Sequence, residues 1–489
     1  MNKNQNPLVV GLENACNLTT TENGALAYKS TLNSLLDFFG NAGAMRTRSD
    51  SDVINLFSKA FAEDRLLALK TLFYIRDSRG GQGERKVFRT ILTWLAKNYP
   101  EIVEKNILGV PFYGRWDDLY CLFGTPLEDQ TIRFMFAQLS KDLTDMKKGN
   151  AVSLLAKWMK SENTSSKESV ALARKFREFL GWSSKKYRKT LSALRRYIDV
   201  VEVKMCAGEF DQIKFGQVPS RAHANYKKAF ERQSGAKYTE YLNKVEKGED
   251  KINAGALFPY DILRSVVEGQ LSPTALKAAD LQWKALPNYV EEGGNGICIC
   301  DVSGSMSGLP LYISVSLGIY FAERNVGPFK DVFMTFSNTP QFHRIIGNNL
   351  LEKWNNFDRT GWDMNTDLIK SFKLILDTAV KYQVKPEDMP SKVFCISDME
   401  FDACSSGFTN FDEIDTLYKR YGYKRPSLIF WNVESRNTQN PIRYNDENVC
   451  LVSGASPSIL KSICGKKILS PMEVMLETIT NKRYDSIVV

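Results

Sequence analysis

The sequence has almost no histidine: among 489 residues only His223 and His343 occur. Chemistry that needs a histidine cluster is therefore nearly excluded, and a Ser–His–Asp arrangement would have to recruit one of these two. Cysteine is present nine times, an odd count, at Cys16, Cys121, Cys206, Cys298, Cys300, Cys395, Cys404, Cys450 and Cys464. No CxxC and no Cys/His zinc spacing occurs among them, so the expectation is reduced, mostly buried thiols in a cytoplasmic protein. Long apolar runs are missing too. Residues 296–300 and 393–396 are the most apolar stretches, far short of the ~20 residues that cross a bilayer. The first seven residues are polar and Asn-rich, so neither a signal peptide nor a membrane anchor is expected.

What is present describes an ordinary folded chain. Hydrophobic residues make up 43% and charged residues 25%, which excludes collagenous or wholly disordered sequence. The length suggests two or three domains. Charge is divided unevenly: residues 1–289 carry 44 basic and 32 acidic side chains, a net +12, whereas residues 290–489 carry 21 and 24, a net −3. A polyanion of the nucleic-acid class is the expected partner of the first part, with a solvated basic face as the alternative.

From Leu26 to about Glu246 apolar residues recur at three and four spacing, as in Val53, Leu56, Phe57, Ala60 and Phe61, the pattern of amphipathic helices. Further helices are expected at 86–98, 131–146, 151–159, 167–180, 187–203 and 226–230, separated by Gly-, Pro- or Ser-rich breaks. Short helices joined by short loops suggest a solenoid or ring. Gly80, Gly81 and Gly83 precede Glu84, Arg85 and Lys86. That loop lacks P-loop spacing, so an interhelical turn is favoured over an anion cradle. In Tyr113–Leu119, Asp117 or Asp118 would cap a helix and Trp116 would pack between helices. The densest basic stretch holds Lys185, Lys186, Arg188, Lys189, Arg195 and Arg196, interleaved with Tyr187 and Tyr197, and Arg221, Lys227, Lys228 and Arg232 extend it. Cationic side chains suit phosphates and tyrosines suit unpaired bases, so nucleic-acid contact is expected on this surface, with a solvated helix face as the alternative.

The sharpest motif follows Gly293 and Gly294. A strand-like run ends in Asp301-Val302-Ser303-Gly304-Ser305, which places a carboxylate and two hydroxyls on one turn, a donor set for Mg²⁺ or another hard divalent cation. Strand-like segments at 332–336, 393–396 and 427–431 alternate with helix-like ones at 368–380, 411–421 and 472–481, implying a doubly wound α/β sheet. Asp398, just past the 393–396 segment, and Thr366, at a helix start, would join the site. Helix capping and turn formation are the plainer roles for each of these residues.

These residues resemble the von Willebrand factor A fold with its metal-ion-dependent adhesion site. Arg76–Arg85, Tyr113–Leu119 and Val218-Pro219-Ser220 resemble the TROVE module of the Ro autoantigen and a related domain family of phages, plants and fungi. The resemblance implies an extended or disordered tail at 1–23, an all-α HEAT-like solenoid or ring at 24–289, and a Rossmann-like von Willebrand A domain at 290–489. It implies Asp301, Ser303, Ser305, Thr366 and Asp398 as ion ligands, although Met364-Asn365 stands where the family has a glycine pair. The implied function is non-enzymatic binding of small structured or single-stranded RNA, as a cytoplasmic ribonucleoprotein. A metal-dependent protein adaptor, whose partner supplies an acidic residue to the ion, is the alternative. A metal-dependent hydrolase is disfavoured because no general base is apparent beyond the ligands.

Overall fold

A computed structural model describes the chain apart from residues 1–7, 9–10, 13–15, 291–294, 337–338, 357–366, 404–408, 465–466 and 469. A helical region occupies roughly residues 30–285, and a six-stranded α/β sheet follows it. The helices begin where side chains can satisfy free amides. Ser49 accepts from the Asp52 amide at 3.2 Å to open Asp50–Glu63, and Asp64 accepts from the Leu67 amide at 2.8 Å to open Arg65–Arg76. Val53, Phe57, Ala60 and Phe61, picked out by their spacing, are all buried.

Several helices differ from the sequence expectation. The one expected at 151–159 is a single turn, Leu155–Trp158, because Ser153 is drawn to Asp142 through both its amide and its hydroxyl, at 3.0 and 2.6 Å. The one expected at 187–203 is Ser184–Tyr197, followed after a left-handed Asp199 (φ 53°) by Val201–Cys206. Ser220–Glu246 is far longer than the five residues expected and breaks at Ser234. Pro259–Glu268 and Pro273–Lys284 were not foreseen; each starts on a proline, whose fixed φ suits the first helical turn.

The sheet has the order β5-β4-β3-β6-β7-β8, with β3 Gly296–Asp301, β4 Val332–Phe336, β5 Gln341–Arg344, β6 Lys392–Ser397, β7 Ser427–Asn432 and β8 Val449–Ser453. All neighbours run parallel except β5, which pairs antiparallel on β4 as an edge. One row of paired residues crosses it as Met334, Ile299, Cys395, Phe430 and Leu451. That face packs on Leu368–Lys381 and Asn410–Tyr421 through Phe372, Ile414 and Tyr418. The opposite face, with Cys298, Cys300, Phe394 and Trp431, belongs to the same core as Phe38, Phe57 and Phe73 of the helical region. A sheet covered on both faces explains why its strands read as unbroken apolar runs. Gly318 of Leu309–Arg324 lets that helix approach β3, since a Cβ there would meet Cys300 Sγ at 2.5 Å.

Both chain ends lock the two regions together. Strands β1 (Leu18–Thr20) and β2 (Leu26–Tyr28) form a hairpin, and its turn reaches the loop after β6: Thr21 Oγ1 donates to the Phe401 carbonyl at 2.7 Å and Asn23 Nδ2 to that of Glu400 at 2.6 Å. At the other end the helix Pro471–Ile479 packs on Arg65–Arg76, and the buried Asp77 carboxylate receives Arg483 and the Tyr484 hydroxyl.

Candidate metal centre and nucleic-acid surface

Strands β3 and β6 lie side by side, while the chain leaves β3 toward β4 on one flank and returns to β6 on the other. Ligands of open α/β sheets sit at such a switch point, beyond the carboxyl ends of the strands. Asp301 ends β3 and Asp398 follows β6. Both are buried, as is Ser303. Asp301 Oδ1 accepts from the Ser303 amide at 2.9 Å and its hydroxyl at 2.6 Å, and Asp301 Oδ2 accepts from the Ser397 hydroxyl at 2.6 Å. The Ser303 and Ser305 hydroxyls are 3.2 Å apart. Asp398 Oδ1 accepts the Glu400 amide at 3.1 Å, and Asp398 Oδ2 accepts Arg436 Nη2 at 2.9 Å. Met399 between them is held at φ 66°, a conformation a side chain of its size rarely adopts. Burial, followed by the charge of Asp398, pushes the Asp301 carboxyl well above the usual carboxylate range.

Asp301, Ser303, Ser305 and Asp398 are thus brought together, and Thr366 lies outside the described residues. Two members had no signal in the sequence. Ser397 bridges the carboxylates from the strand end, and Arg436, 38 residues beyond Asp398, supplies a cation to it. Among the described residues no group of three or more His, Cys, Asp and Glu side chains could hold a metal. The donor set is two carboxylates with hydroxyls, and it fits a hard ion that keeps much of its water. Asp301 itself has no cationic partner among the described residues. Both histidines are packed: His223 Nε2 meets the Tyr238 hydroxyl and His343 Nε2 the Thr335 hydroxyl, each at 2.9 Å.

The basic candidates divide into two sets. Ser184–Tyr197 buries Tyr187, Leu191 and Leu194, and on the opposite side Lys185, Lys189 and Arg196 are exposed in one stripe, flanked by exposed Lys186 and Arg188. Among the described residues, none of these five has a carboxylate within 4.0 Å. Lys186 Nζ lies 4.3 Å over the Trp182 ring. The other set is engaged internally. Arg195 donates to the carbonyls of Ala156 and Met159 and to Ser161 Oγ. Arg221 pairs with Asp261 at 2.7 Å, and Lys228 donates to the Gly269 carbonyl at 2.6 Å. Tyr187, expected as a stacking face, is fully buried and donates to the Lys160 carbonyl.

Lys227 is buried near His223, its Nζ donating to the Ala224 carbonyl at 2.9 Å. Burial, with repulsion from Lys228, lowers its pKa from 10.5 to about 8. Below about 8 both folded and unfolded chains hold the proton, and the full cost of the buried ammonium applies. As pH rises from there to 10.5 the unfolded chain binds the proton that the folded chain has released, so stability rises. Lys227→Met is therefore expected to stabilise at pH 7 by about 1–3 kcal/mol, an advantage that shrinks as pH approaches 10.5. Urea midpoints at pH 7 and above 10 check this; an advantage that does not change with pH would refute the cause.

The family described as "Domain of unknown function (DUF2828)" matches residues 21–115 and 126–295, and "Domain of unknown function (DUF7788)" matches residues 295–485. "Uncharacterized protein L728" of Acanthamoeba polyphaga mimivirus is 30% identical over 504 aligned residues, covering 95% of this chain and 87% of that one. Among solved structures, the Ro (RSR) protein of Deinococcus radiodurans aligns over 89% of this chain and 99% of its own, with 14% identity and a TM-score of 0.45. Since the first family's match spans more than half of the sequence and the mimivirus relative is alike over nearly all of it, the chain belongs to the DUF2828 family.

Proposed function

We propose that the chain is a non-enzymatic RNA-binding protein that contacts small structured or single-stranded RNA through the exposed side of Ser184–Tyr197. The observation that carries this reading is the placement of Lys185 and Lys186. They stand in the first turn of a helix with no acidic residue there, where the helix dipole disfavours a cation by about 0.3–1 kcal/mol. No carboxylate among the described residues pairs with either lysine to offset that cost. A phosphate backbone would, and the net +12 of residues 1–289 and the TROVE-like motifs point the same way. Tyr197, 40% exposed on the last turn, offers a face for a base.

Beyond the carboxyl ends of the central strands β3 and β6, Asp301, Ser303, Ser305 and Asp398 would hold Mg²⁺, which would supply a positive site for an anionic group of the RNA or of a partner protein. Ser397 and Arg436 fix the two carboxylates that face it.

Fluorescence anisotropy with a labelled small hairpin RNA carrying a single-stranded tail tests the surface. Five phosphate contacts imply that log affinity falls with log salt at a slope of about −3.5 to −4.5. Reversing Lys185, Lys186, Arg188 and Lys189 to Glu is expected to weaken binding by about 100-fold or more. A salt-independent affinity, or a reversed variant that binds like the parent, would remove the RNA reading.

A further inference from the structure

The two motifs of the helical region that the RNA surface does not use, Arg76–Arg85 and Tyr113–Leu119, meet in space. Asp118, fully buried, accepts Arg76 Nε at 2.8 Å and Arg89 Nε at 2.7 Å, as well as the Arg115 amide at 2.8 Å. Asp117 accepts Arg115 through Nε and Nη2 at 2.8 and 2.6 Å and faces Arg89 Nη2 at 3.0 Å. Gly114 permits the closure, because a Cβ there would lie 2.4 Å from Asp118 Oδ2 and 2.8 Å from Arg76 Nε. Arg115 also covers the Trp158 ring at 4.0 Å, with Lys157 Nζ 5.7 Å from the same ring.

Every oxygen of the two aspartates is thereby occupied, yet a fourth guanidinium remains. Arg85 is exposed, and its side chain makes no hydrogen bond or ion pair among the described residues. Partial burial and repulsion from Arg115, Arg89 and Arg76, against attraction from Asp117, hold its pKa below the ordinary value. Glu84, the nearest acidic residue in sequence, has its Oε1 turned to the amides of Arg85 and Lys86 at 2.9 Å each. The glycine loop offers little of its own, since the amides of Gly81, Gln82 and Gly83 donate to the carbonyls of Asp77 and Tyr74. Four arginines against two aspartates leave an excess of two positive charges at one place. A tetrahedral oxyanion with several acceptors matches forked guanidinium donors of this kind.

We propose that Arg85, Arg89 and Arg115 form a phosphate-binding site, separate from the Ser184–Tyr197 face, in which Arg85 is the free arm that closes on the ligand. Arg76, Asp117 and Asp118 position the other two. The site stands on its own geometry; only its occupation by a phosphate of RNA rests on the RNA reading.

The test is calorimetric titration of inorganic phosphate into the full chain at constant ionic strength, followed by anisotropy with short oligouridylates bearing either a 5′-phosphate or a 5′-hydroxyl. Arg85→Gln is expected to weaken inorganic phosphate binding about tenfold, as loss of charge-assisted hydrogen bonds does. Its thermal midpoint should not fall below the parent value, because the side chain has no partner to lose among the described residues and its neighbours repel it, and Arg85→Lys should recover part of the affinity. Charge reversal at Lys185 and Lys189 should leave phosphate binding unchanged. A preference for the 5′-phosphate that disappears in Arg85→Gln assigns a terminal phosphate, and equal weakening with both oligomers assigns an internal one. Phosphate binding through Arg85 without any RNA affinity keeps this site and overturns the RNA reading. Absence of phosphate binding in the parent, or Arg85→Gln binding like the parent, overturns the site and leaves the RNA reading intact.

Discussion

Asp118→Ala is expected to lower the free energy of unfolding by about 3–5 kcal/mol, the cost of removing one partner from a buried ion pair. Asp118 is the centre on which Arg76, Arg89 and the Arg115 amide converge, and it is fully buried. Arg76 is 3% exposed and its ionic contact is with Asp118, so the alanine leaves a guanidinium without water and without a counter-charge. The loss is also regional. Arg76 ends the helix that packs on the C-terminal helix Pro471–Ile479, and the next residue, Asp77, holds Arg483 and Tyr484. A matched control is Asp145→Ala, which breaks a pair to Lys141 across one helical turn, with the lysine 70% exposed. That change should leave the stability close to the parent's, as exposed pairs do. Urea denaturation followed by circular dichroism compares the two variants, and equal midpoints would show that the Arg–Asp cluster contributes no more than a surface pair.

What could be read from the sequence depended on whether the signal was local. Val53, Phe57 and Phe61 repeat at four spacing within one helix, and the unbroken apolar run of β3 announces a strand covered on both faces. Asp301, Ser303 and Ser305 lie on one turn, so their convergence is a property of five residues. Arg436 reaches Asp398, and Glu22 of the N-terminal hairpin lies 3.2 Å from the same guanidinium, only because the fold brings together positions 38 and more than 400 residues apart. No periodicity encodes such a contact. The same holds for β1 and β2, three residues each, whose turn docks on residues some 380 positions away. Lys227 is a different case. It stands four residues after His223 and three before Phe230, on the stripe that helical spacing sends inward. Composition alone placed it on the basic surface, whereas its phase on the helix would have placed it in the core. Arg195 follows Leu194 on the flank of the buried stripe, and its neighbour Arg196 points to solvent. Adjacent residues of one type thus take opposite roles because successive helical positions turn away from each other.

Asp301→Ala is expected to abolish the response of the protein to magnesium and, with it, to invert the stability order of variant and parent. In the parent, among the described residues, Asp398 receives the Arg436 guanidinium while the buried Asp301 is left to hydroxyl and amide donors. Its carboxyl is raised by burial and by Asp398, which means that the ionised site opposes folding when no cation is bound. The sign follows from linkage. The unfolded chain gives up the proton in the ordinary carboxylate range while the folded chain keeps it to higher pH, so this group makes metal-free stability fall as pH rises toward neutrality. A divalent ion at the proposed centre would cancel that loss and add its own binding free energy, about 2.7 kcal/mol when the ion is at 100 times its dissociation constant. Removing the Asp301 carboxylate removes both effects. At neutral pH without metal the variant should unfold at a higher temperature than the parent, and with millimolar magnesium the order should invert, because only the parent gains. A residue that merely capped the turn at Ser303 would lose stability in both conditions when replaced. Thermal melts of the two proteins in EDTA and in magnesium distinguish the cases: curves that never cross exclude a divalent ion held by Asp301, and a crossing that also vanishes in Asp398→Ala places both carboxylates at one ion.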